Sequence, residues 1–258
     1  MNVVVCVKFV PDAQSARTFA TDHTTDRVGV DGLLSELDEY ALEEGLKIVE
    51  ANGGEVTVLT MGPEGAAAAL RKALQIGAHK AVHVLDDQLH GSDAPATSLV
   101  LAAALGTLEY DLVLCGMAST DGTMSVVPAM LAERLGLPQV TFAAEVTVGD
   151  GTVRIRREAE AAVQEIEATL PAVVSVTDQI NEPRYPSFKG IMAAKKKPVQ
   201  TLSLADLGVS ATDVGLANAW SEVVDVTKRP ARSKGTVVND DGDGAAQLVD
   251  FLAARKFV

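Results

Sequence analysis

Four short apolar runs alternate with longer helical patterns in the first half of the chain, and this alternation limits the possible folds more than any other feature. Continuous apolar runs of this length are typical of strands buried on both faces. The runs are Asn2 to Val7, Glu55 to Thr60, Lys80 to Leu85 and Leu112 to Cys115. The helical patterns between them are Asp38 to Ala51, Gly65 to Ile76 and Ala94 to Leu108. The alternation predicts βαβ units in a doubly wound, mainly parallel α/β sheet.

The pattern changes after Leu135, where three half-polar segments follow one another closely. They are Phe142 to Val148, Thr152 to Arg157 and Ala162 to Glu167, and an apolar run at Ala172 to Thr177 follows. The intervening Asp150-Gly151 pair is a strong hairpin signal. We interpret these segments as antiparallel additions to the same sheet, within one domain of residues 1–209. Residues 210–258 are polar and irregular before a final helix from Ala245 to Arg255. This composition predicts an extended C-terminal arm, which either contacts a neighbouring subunit or is partly mobile.

Charge and hydropathy exclude several classes of partner. The formal net charge of −13 argues against nucleic acid, because a nucleic-acid binder neutralises phosphates with a cationic face. No apolar segment reaches the roughly 20 residues of a membrane helix, so we expect no direct membrane insertion. The opening run ends at Pro11 and is typical of a buried strand rather than a secretion signal. Two cysteines, Cys6 and Cys115, favour buried packing in a reducing cytoplasm, although a disulfide is possible if their strands are neighbours.

The ends of the predicted strands are the candidate ligand site. Neither a G-x-G-x-x-G nor a P-loop motif is present, but ligands of doubly wound sheets bind at the carboxyl ends of strands, near the switch point. Three places qualify: Cys6 to Lys8, Thr60 to Gly62, and the loop after Gly116. That loop is rich in small and hydroxyl residues before a helix, a composition that suits an anion. An ordinary capped loop is an equally good interpretation of these residues alone.

A second unusual region, the presented segment, extends from Asn181 to Pro198. Pro183 and Pro186 push the residues before them toward extended geometry. Phe188 then stands between polar neighbours, and it serves either a surface contact or the core of its own domain. A helix is expected from Ile191 to Lys197, with the lysines Lys195 to Lys197 as its solvated end.

Two further clusters have simpler interpretations than a reactive site. His83, Asp86, Asp87 and His90 form a polar strand end and loop more readily than a metal site, because their side chains have no fixed common face. Arg154, Arg156 and Arg157 favour a solvated strand face, and a partner contact is the second interpretation. No Ser-His-Asp or Cys-His arrangement can be assigned from the 4 histidines.

The presented segment also carries a family resemblance. Its Asn181-Glu182-Pro183-Arg184-Tyr185 run, followed by Ile191-Met192 and the three lysines, resembles the signature region of the β subunit of electron transfer flavoprotein. Further blocks fall in the family's order and spacing as far as about Val209: Val5 to Lys8, Met61 to Pro63, Gly77-Ala78 and Asp111 to Gly116. A five-residue signature with collinear blocks is a specific signal.

The resemblance implies a Rossmann-like, adenine-nucleotide-binding fold and an electron-carrier subunit without catalytic residues of its own. In that family FAD is held mainly by the larger α subunit, acyl-CoA dehydrogenases donate electrons, and a membrane quinone oxidoreductase or another acceptor receives them. A structural AMP occupies the β subunit. By position, its contacts here would be Cys6, Ser35, Leu37, Asp38, Met61, Ala118, Ser119, Thr120, Asp121, Gly122, Thr123, Met124, Ser125, Val126 and Val127. Residues Asn181 to Tyr185, Phe188, Ile191 and Met192 would serve partner recognition, with Phe188 in the place of the family's apolar anchor.

The chain departs from the family at the start of the phosphate loop. The family loop commonly begins Gly-Lys-Gln-Ala-Ile-Asp, whereas Met117-Ala118-Ser119-Thr120 precedes Asp121 here. A lysine and a glutamine are therefore missing, which affects side-chain contacts more than backbone contacts. Two alternatives stay open: a free-standing adenine-nucleotide sensor of related fold, and the FAD-binding β subunit of an electron-bifurcating flavoprotein.

Overall fold

A nine-stranded sheet forms the centre of the first of two compact units, Met1–Val224 and Asp225–Val258. The computed structural model describes all 258 residues. The strands are β1 Asn2–Cys6, β2 Phe9–Pro11, β3 Gly32–Leu34, β4 Glu55–Met61, β5 Lys80–Val84, β6 Leu112–Gly116, β7 Gln139–Gly149, β8 Thr152–Glu158, β9 Val163–Thr169, β10 Ala172–Val176 and β11 Val199–Leu202. The helices are α1 Glu36–Asn52, α2 Ala67–Ile76, α3 Ala94–Leu105, α4 Val127–Leu135, α5 Phe188–Ala194 and α6 Gly244–Ala254.

The strand order confirms the predicted doubly wound architecture. It runs β11-β5-β4-β1-β6-β10-β7-β8-β9, and β2 and β3 form a separate antiparallel pair. Every pairing from β11 to β7 is parallel. The chain passes from β1 to β4 and β5 on one side, and then returns to β6 on the other side of β1. The switch point of the topology therefore lies between β1 and β6, where a doubly wound sheet opens a crevice.

Both faces of the parallel sheet are covered by helices. Val3 and Val5 of β1 belong to one buried cluster with residues of α1 and α2, and the intervening Val4 belongs to a second cluster with residues of α3 and α4. Successive strand residues point to opposite faces, so a strand buried on both sides needs apolar residues at every position. This requirement explains the continuous apolar runs.

The later strands join the same sheet, as predicted. β7, β8 and β9 pair antiparallel in sequence order beyond β10. Asp150 and Gly151 have φ angles of 52° and 76°, the two left-handed residues that a tight hairpin turn requires. The sheet thus ends on a three-stranded antiparallel extension.

The chain beyond residue 209 stays within the first unit as far as Val224 and is hydrogen-bonded to it. Gly215 N–H donates to Ser92 Oγ, and Trp220 N–H donates to Asp93 Oδ2. The second unit contains α6, close to the predicted final helix, and is otherwise irregular. None of the helices has the length and hydropathy needed to cross a membrane.

Candidate functional site

The predicted site residues come together at the carboxyl edge of the sheet, around the switch point. Cys6 ends β1, Met61 ends the neighbouring β4, and the loop from Ala118 to Val127 follows β6 on the other side of β1. Ser35 and Asp38, at the start of α1, reach the same edge because both hydrogen-bond to the main chain of Lys8. Three consecutive strand ends and one helix start therefore frame a single surface.

The buried carboxylate of Asp38 holds the start of α1 against the strand ends. Lys8 N–H donates to Asp38 Oδ2 over 2.8 Å. Burial raises the pKa of Asp38 to about 7, although hydrogen bonds from Lys8 and Gly116 oppose the change. A methyl group on Gly116 would lie 2.6 Å from Asp38 Oδ1 and 2.7 Å from Leu37 O. Only glycine permits this approach of α1 to β6.

A cationic cluster surrounds Asp121, at the centre of the loop. Lys8 Nζ lies 2.8 Å from Asp121 Oδ1, and Arg27 Nη2 lies 2.5 Å from Oδ2. Arg17 Nη2 donates to Thr120 O over 2.8 Å. Burial disfavours the charged form of Asp121, but the charge of Lys8 and hydrogen bonds from Lys8, Ser119 and Arg27 outweigh it and hold its pKa well below the usual range.

Of these three cations, the sequence prediction placed Lys8 in the candidate range Cys6 to Lys8, but not among the contact residues, and it missed Arg17 and Arg27. Lys8 carried a usable signal, because it is the lone charge at the end of an apolar strand. Arg17 and Arg27 carried none, since they lie in the irregular connection between β2 and β3. Their guanidinium groups also bond to main-chain carbonyls of Pro11 and Phe9, which keeps the connection folded against the loop.

The loop backbone leaves polar groups available to a ligand. Thr123 and Ser125 have φ angles of 51° and 58°, an uncommon conformation for residues with a side chain. No side chain caps the first turn of α4, which leaves its N–H groups for other acceptors. The buried hydroxyls of Ser35 and Thr120 have no hydrogen-bond partner within the chain. Buried polar groups without partners are rare, so this edge suits a polar, anionic ligand.

The two free cysteines lie opposite each other on the neighbouring strands β1 and β6. A hydrogen bond with Cys6, together with burial, raises the pKa of the Cys115 thiol well above its usual range. A protonated, buried thiol packs as a small apolar group.

The presented segment divides into an anchored base and an exposed tip. Asn181 Nδ2 donates to Tyr40 O of α1, and Arg184 forms ion pairs with Glu43 and Glu50 of the same helix. The exposed side chains of the segment include Glu182, Tyr185, Phe188, Ile191 and Met192, and Pro183 is half-buried. Phe188 is 81% exposed, which excludes its interpretation as part of the domain's own core.

Two expectations for this segment were wrong. The helix begins at Phe188 rather than Ile191, because Ser187 caps it by accepting the Gly190 N–H at 3.0 Å. The helix ends at Ala194, so the lysines follow it. Lys197 is not a solvated residue of a helix end: its Nζ donates to Leu74 O and Gly77 O at the end of α2. The local sequence could not predict these contacts of Lys197, because the two carbonyls lie about 120 residues earlier in the chain.

The His83 to His90 region does not converge on a metal site. His83 Nε2 bonds to Gly62 O, His90 Nε2 bonds to Asp22, and Asp86 caps a short helical turn. The chain contains no group of three or more His, Cys, Asp or Glu side chains placed to hold a metal ion. Arg154 and Arg156 pair with Glu167, Glu145 and Glu158 on the exposed faces of β7 to β9.

Two cavities lie at opposite edges of the sheet. One of about 330 Å³ lies at the opposite, amino edge of the sheet, near Asn2, Glu55 and Lys80. A smaller one of about 200 Å³ opens beside the loop, near Met117, Phe142 and Thr177. The carboxyl-edge surface carries the unpartnered hydroxyls and the cationic cluster, so its chemistry, rather than cavity size, makes it the candidate site.

Comparison with known proteins decides the family. The model of the electron transfer flavoprotein domain matches residues 22–207. The electron transfer flavoprotein subunit beta of Mycobacterium tuberculosis is 52% identical over 264 residues, covering 100% of this chain and 99% of the relative. The chain belongs to the electron transfer flavoprotein β subunit family. As a member of this family it is an electron-carrier subunit.

More distant members of the family share its full length. The electron transfer flavoprotein subunit beta of Megasphaera elsdenii is 33% identical over 270 residues, with both chains fully covered. The caffeyl-CoA reductase-Etf complex subunit CarD of Acetobacterium woodii is 35% identical over 262 residues, again with full coverage of both chains. Relatives of this chain thus include a subunit of a caffeyl-CoA reductase-Etf complex as well as electron transfer flavoprotein β subunits.

Proposed function

We propose that this chain is the β subunit of a heterodimeric electron transfer flavoprotein and has no catalytic residues of its own. Its partner would be an α subunit that holds most of the FAD. The heterodimer would accept electrons from acyl-CoA dehydrogenases and pass them to a quinone oxidoreductase or another acceptor. The full-length similarity to the β subunit of Mycobacterium tuberculosis supports this proposal. FAD supplies the redox chemistry when bound, and the protein supplies position and environment.

We further propose that AMP binds at the carboxyl edge as a structural nucleotide. The observation that carries this step is the pair of buried, unpartnered hydroxyls, Ser35 Oγ and Thr120 Oγ1, on two sides of the edge. The loop from Ala118 to Val127 would hold the phosphate through its N–H groups and the uncapped start of α4. Cys6, Ser35, Leu37, Asp38 and Met61 would frame the adenosine.

The cationic cluster compensates for the lysine that the phosphate loop lacks. Lys8, Arg17 and Arg27 bring three positive charges to the loop, and two carboxylates, Asp121 and Asp38, lie beside Lys8. The net local charge is therefore positive, in a chain whose formal net charge is −13. A positive site within an acidic protein suits an anionic ligand and concentrates it locally.

Nucleotide analysis of the purified heterodimer tests the cofactor assignment. After denaturation and chromatography we expect one FAD and one AMP per heterodimer. FAD alone, at one per heterodimer, would contradict the AMP site. Two FAD molecules would instead assign the chain to the electron-bifurcating branch of the family.

Expression with and without a neighbouring α-type gene tests the heterodimer. We expect a yellow complex with flavin absorption only when both chains are present. A colourless, nucleotide-loaded homodimer from this chain alone would favour the stand-alone sensor.

We propose a cytoplasmic location, because both cysteines are free although their strands are neighbours.

The exposed apolar side chains supply two proposed contacts. We propose that Phe188 inserts into a pocket on the dehydrogenase, since one buried aromatic can dominate a small, transient interface. We also propose that the C-terminal arm contacts the α subunit, because Val237, Phe251 and Phe257 are exposed in the second unit.

A substitution tests the proposed docking role of Phe188. Phe188→Ala should weaken coupling to the dehydrogenase and leave assembly and flavin content unchanged. The matched control is Val163→Ala, which removes an exposed apolar side chain on the edge strand β9.

A further inference from the structure

Arg184 fixes the base of the presented segment to helix α1. Its Nε and Nη2 atoms bind the two carboxylate oxygens of Glu43 at 2.7 and 2.9 Å, and its Nη1 atom lies 2.5 Å from Glu50 Oε1. The Glu43 side chain is 8% exposed. Such a two-pronged pair fixes the orientation of the guanidinium plane as well as its position. Arg184 N–H also donates to Glu43, so main chain and side chain are held together.

The other end of the segment is fixed to helix α2. A methyl group on Gly190 would lie 2.4 Å from Gln75 O, which shows how closely α5 packs on the end of α2. Lys197 Nζ donates to Leu74 O and Gly77 O at the same place. The presented segment is therefore held on two different helices, with Phe188 between the two attachments.

The helix that begins with Phe188 depends on these attachments. α5 has seven residues, and a helix of that length is unstable in isolation. Its side chains contribute little burial, since Ala194 is its only buried residue. The orientation of Phe188 thus follows from where the segment is attached, rather than from α5 itself.

We infer that Arg184 is a positioning residue, which holds Phe188 in the orientation required for docking before the dehydrogenase arrives. An anchor that is already ordered spares the complex the entropy of ordering it. The inference rests on the proposed docking role of Phe188. The pair with Glu50 is a surface pair, whereas the Glu43 carboxylate is nearly buried. We therefore expect the loss of Arg184 to lower the stability of the fold as well as to loosen the segment, so the test compares the segment with the sheet.

Hydrogen exchange of the complete heterodimer tests the positioning directly. In Arg184→Gln, we expect the exchange of the amides of residues 188–194 to increase by a factor at least about fivefold larger than that of the amides of the parallel strands. The matched control is Arg154→Gln, which removes an exposed ion pair with Glu167 on β8. Unchanged exchange at 188–194 would overturn the inference, whatever the dehydrogenase result. Should Arg184→Gln not fold, Arg184→Lys keeps the charge but loses the two-pronged geometry, and should give a smaller increase.

Coupling to a dehydrogenase tests the consequence. Medium-chain acyl-CoA dehydrogenase with octanoyl-CoA serves as the probe, and the heterodimer is varied as electron acceptor. For Arg184→Gln we expect KM for the heterodimer to rise about five- to tenfold, with kcat within about twofold of the wild type. The double variant with Phe188→Ala should be no worse than Phe188→Ala alone, because Arg184 acts through Phe188.

The two proposals fail in different ways. If Phe188→Ala leaves KM unchanged, the docking role of Phe188 is wrong, and hydrogen exchange alone decides the positioning. If Phe188→Ala raises KM and Arg184→Gln does not, the docking role stands and the positioning inference is overturned. A fall in kcat without a change in KM for Arg184→Gln would also overturn it.

Discussion

The Asp121 carboxylate lies 2.8 Å from Lys8 Nζ and so joins the loop after β6 to the end of β1. Its second oxygen binds Arg27, which brings in the connection between β2 and β3. Three segments that are distant in sequence therefore meet on one carboxylate, whose side chain is 3% exposed. This carboxylate organises the side of the candidate site that the loop after β6 forms.

Replacing Asp121 should destabilise the fold and loosen the loop. Asp121→Asn removes the charge that compensates Lys8 and Arg27, and we expect a loss of about 2–3 kcal/mol in the free energy of unfolding. Urea denaturation measures this loss. Asp150→Asn, in the exposed hairpin turn, is the control and should change stability by less than about 0.5 kcal/mol. Equal effects of the two variants would show that the cluster contributes nothing.

Gly116 should not accept even one added methyl group. In Gly116→Ala the new atom would meet Leu37 O, a main-chain atom that cannot move without α1. We expect at least about 2 kcal/mol of destabilisation and a weaker retention of the proposed AMP. Gly149→Ala is the matched control, since Gly149 also ends a strand but nothing lies within 4 Å of its added methyl. Thermal unfolding of both variants decides the comparison.

Asp38 should make stability fall as pH rises toward neutrality. Its pKa is raised from 3.8 to about 7 by burial, so between these values the folded protein keeps a proton that the unfolded chain has released. The free energy of unfolding then decreases with pH, by at most about 1.4 kcal/mol per pH unit, and levels off above pH 7. Asp121 acts in the opposite direction and at lower pH. Its pKa is lowered in the folded protein, so the stability that its charged form contributes is lost only on acidification below about pH 4.

Urea unfolding at several pH values checks the role of Asp38. The slope between pH 4.5 and 6.5 should become less negative in Asp38→Asn, and it should persist in the exposed control Asp150→Asn. An unchanged slope in Asp38→Asn would assign the pH dependence to another group.

Lys197 should contribute far more to stability than its neighbours in the lysine run. In Lys197→Met, the carbonyls of Leu74 and Gly77 lose a charged donor, and we expect a loss of about 1.5–3 kcal/mol. Lys195→Met is the control, because Lys195 is exposed, and should be nearly neutral. Chemical denaturation measures both. Equal losses of stability in the two variants would show that Lys197 behaves as a solvated surface charge.

The parallel sheet and the edge that carries the site could be predicted because they depend on burial. A strand covered on both faces needs an unbroken apolar run, and this requirement is visible in the local sequence of β1 or β6. The position of the candidate ligand site then follows from topology, since carboxyl ends and the switch point coincide. For Phe188 the sequence left two interpretations open, a surface contact or the core of its own domain, because an isolated aromatic has no periodic pattern.

The polar contacts could not be predicted because they join segments with no local signal. Arg17 and Arg27 lie in an irregular connection, and only the fold brings them to Thr120 and Asp121. Arg184 belongs to a recognisable signature, yet its partners on α1 lie more than 130 residues earlier in the chain. Charged side chains on loops are set by tertiary geometry rather than by periodicity, so a single sequence identifies the residues and not their pairing.

The first position of α5 combines a fixed backbone with a free side chain. Ser187, Gly190 and Lys197 hold the helix in place, whereas Phe188 projects away with little contact of its own. Substitution at position 188 therefore leaves the supporting contacts intact. The proposed docking side chain can therefore vary independently of the residues that support it.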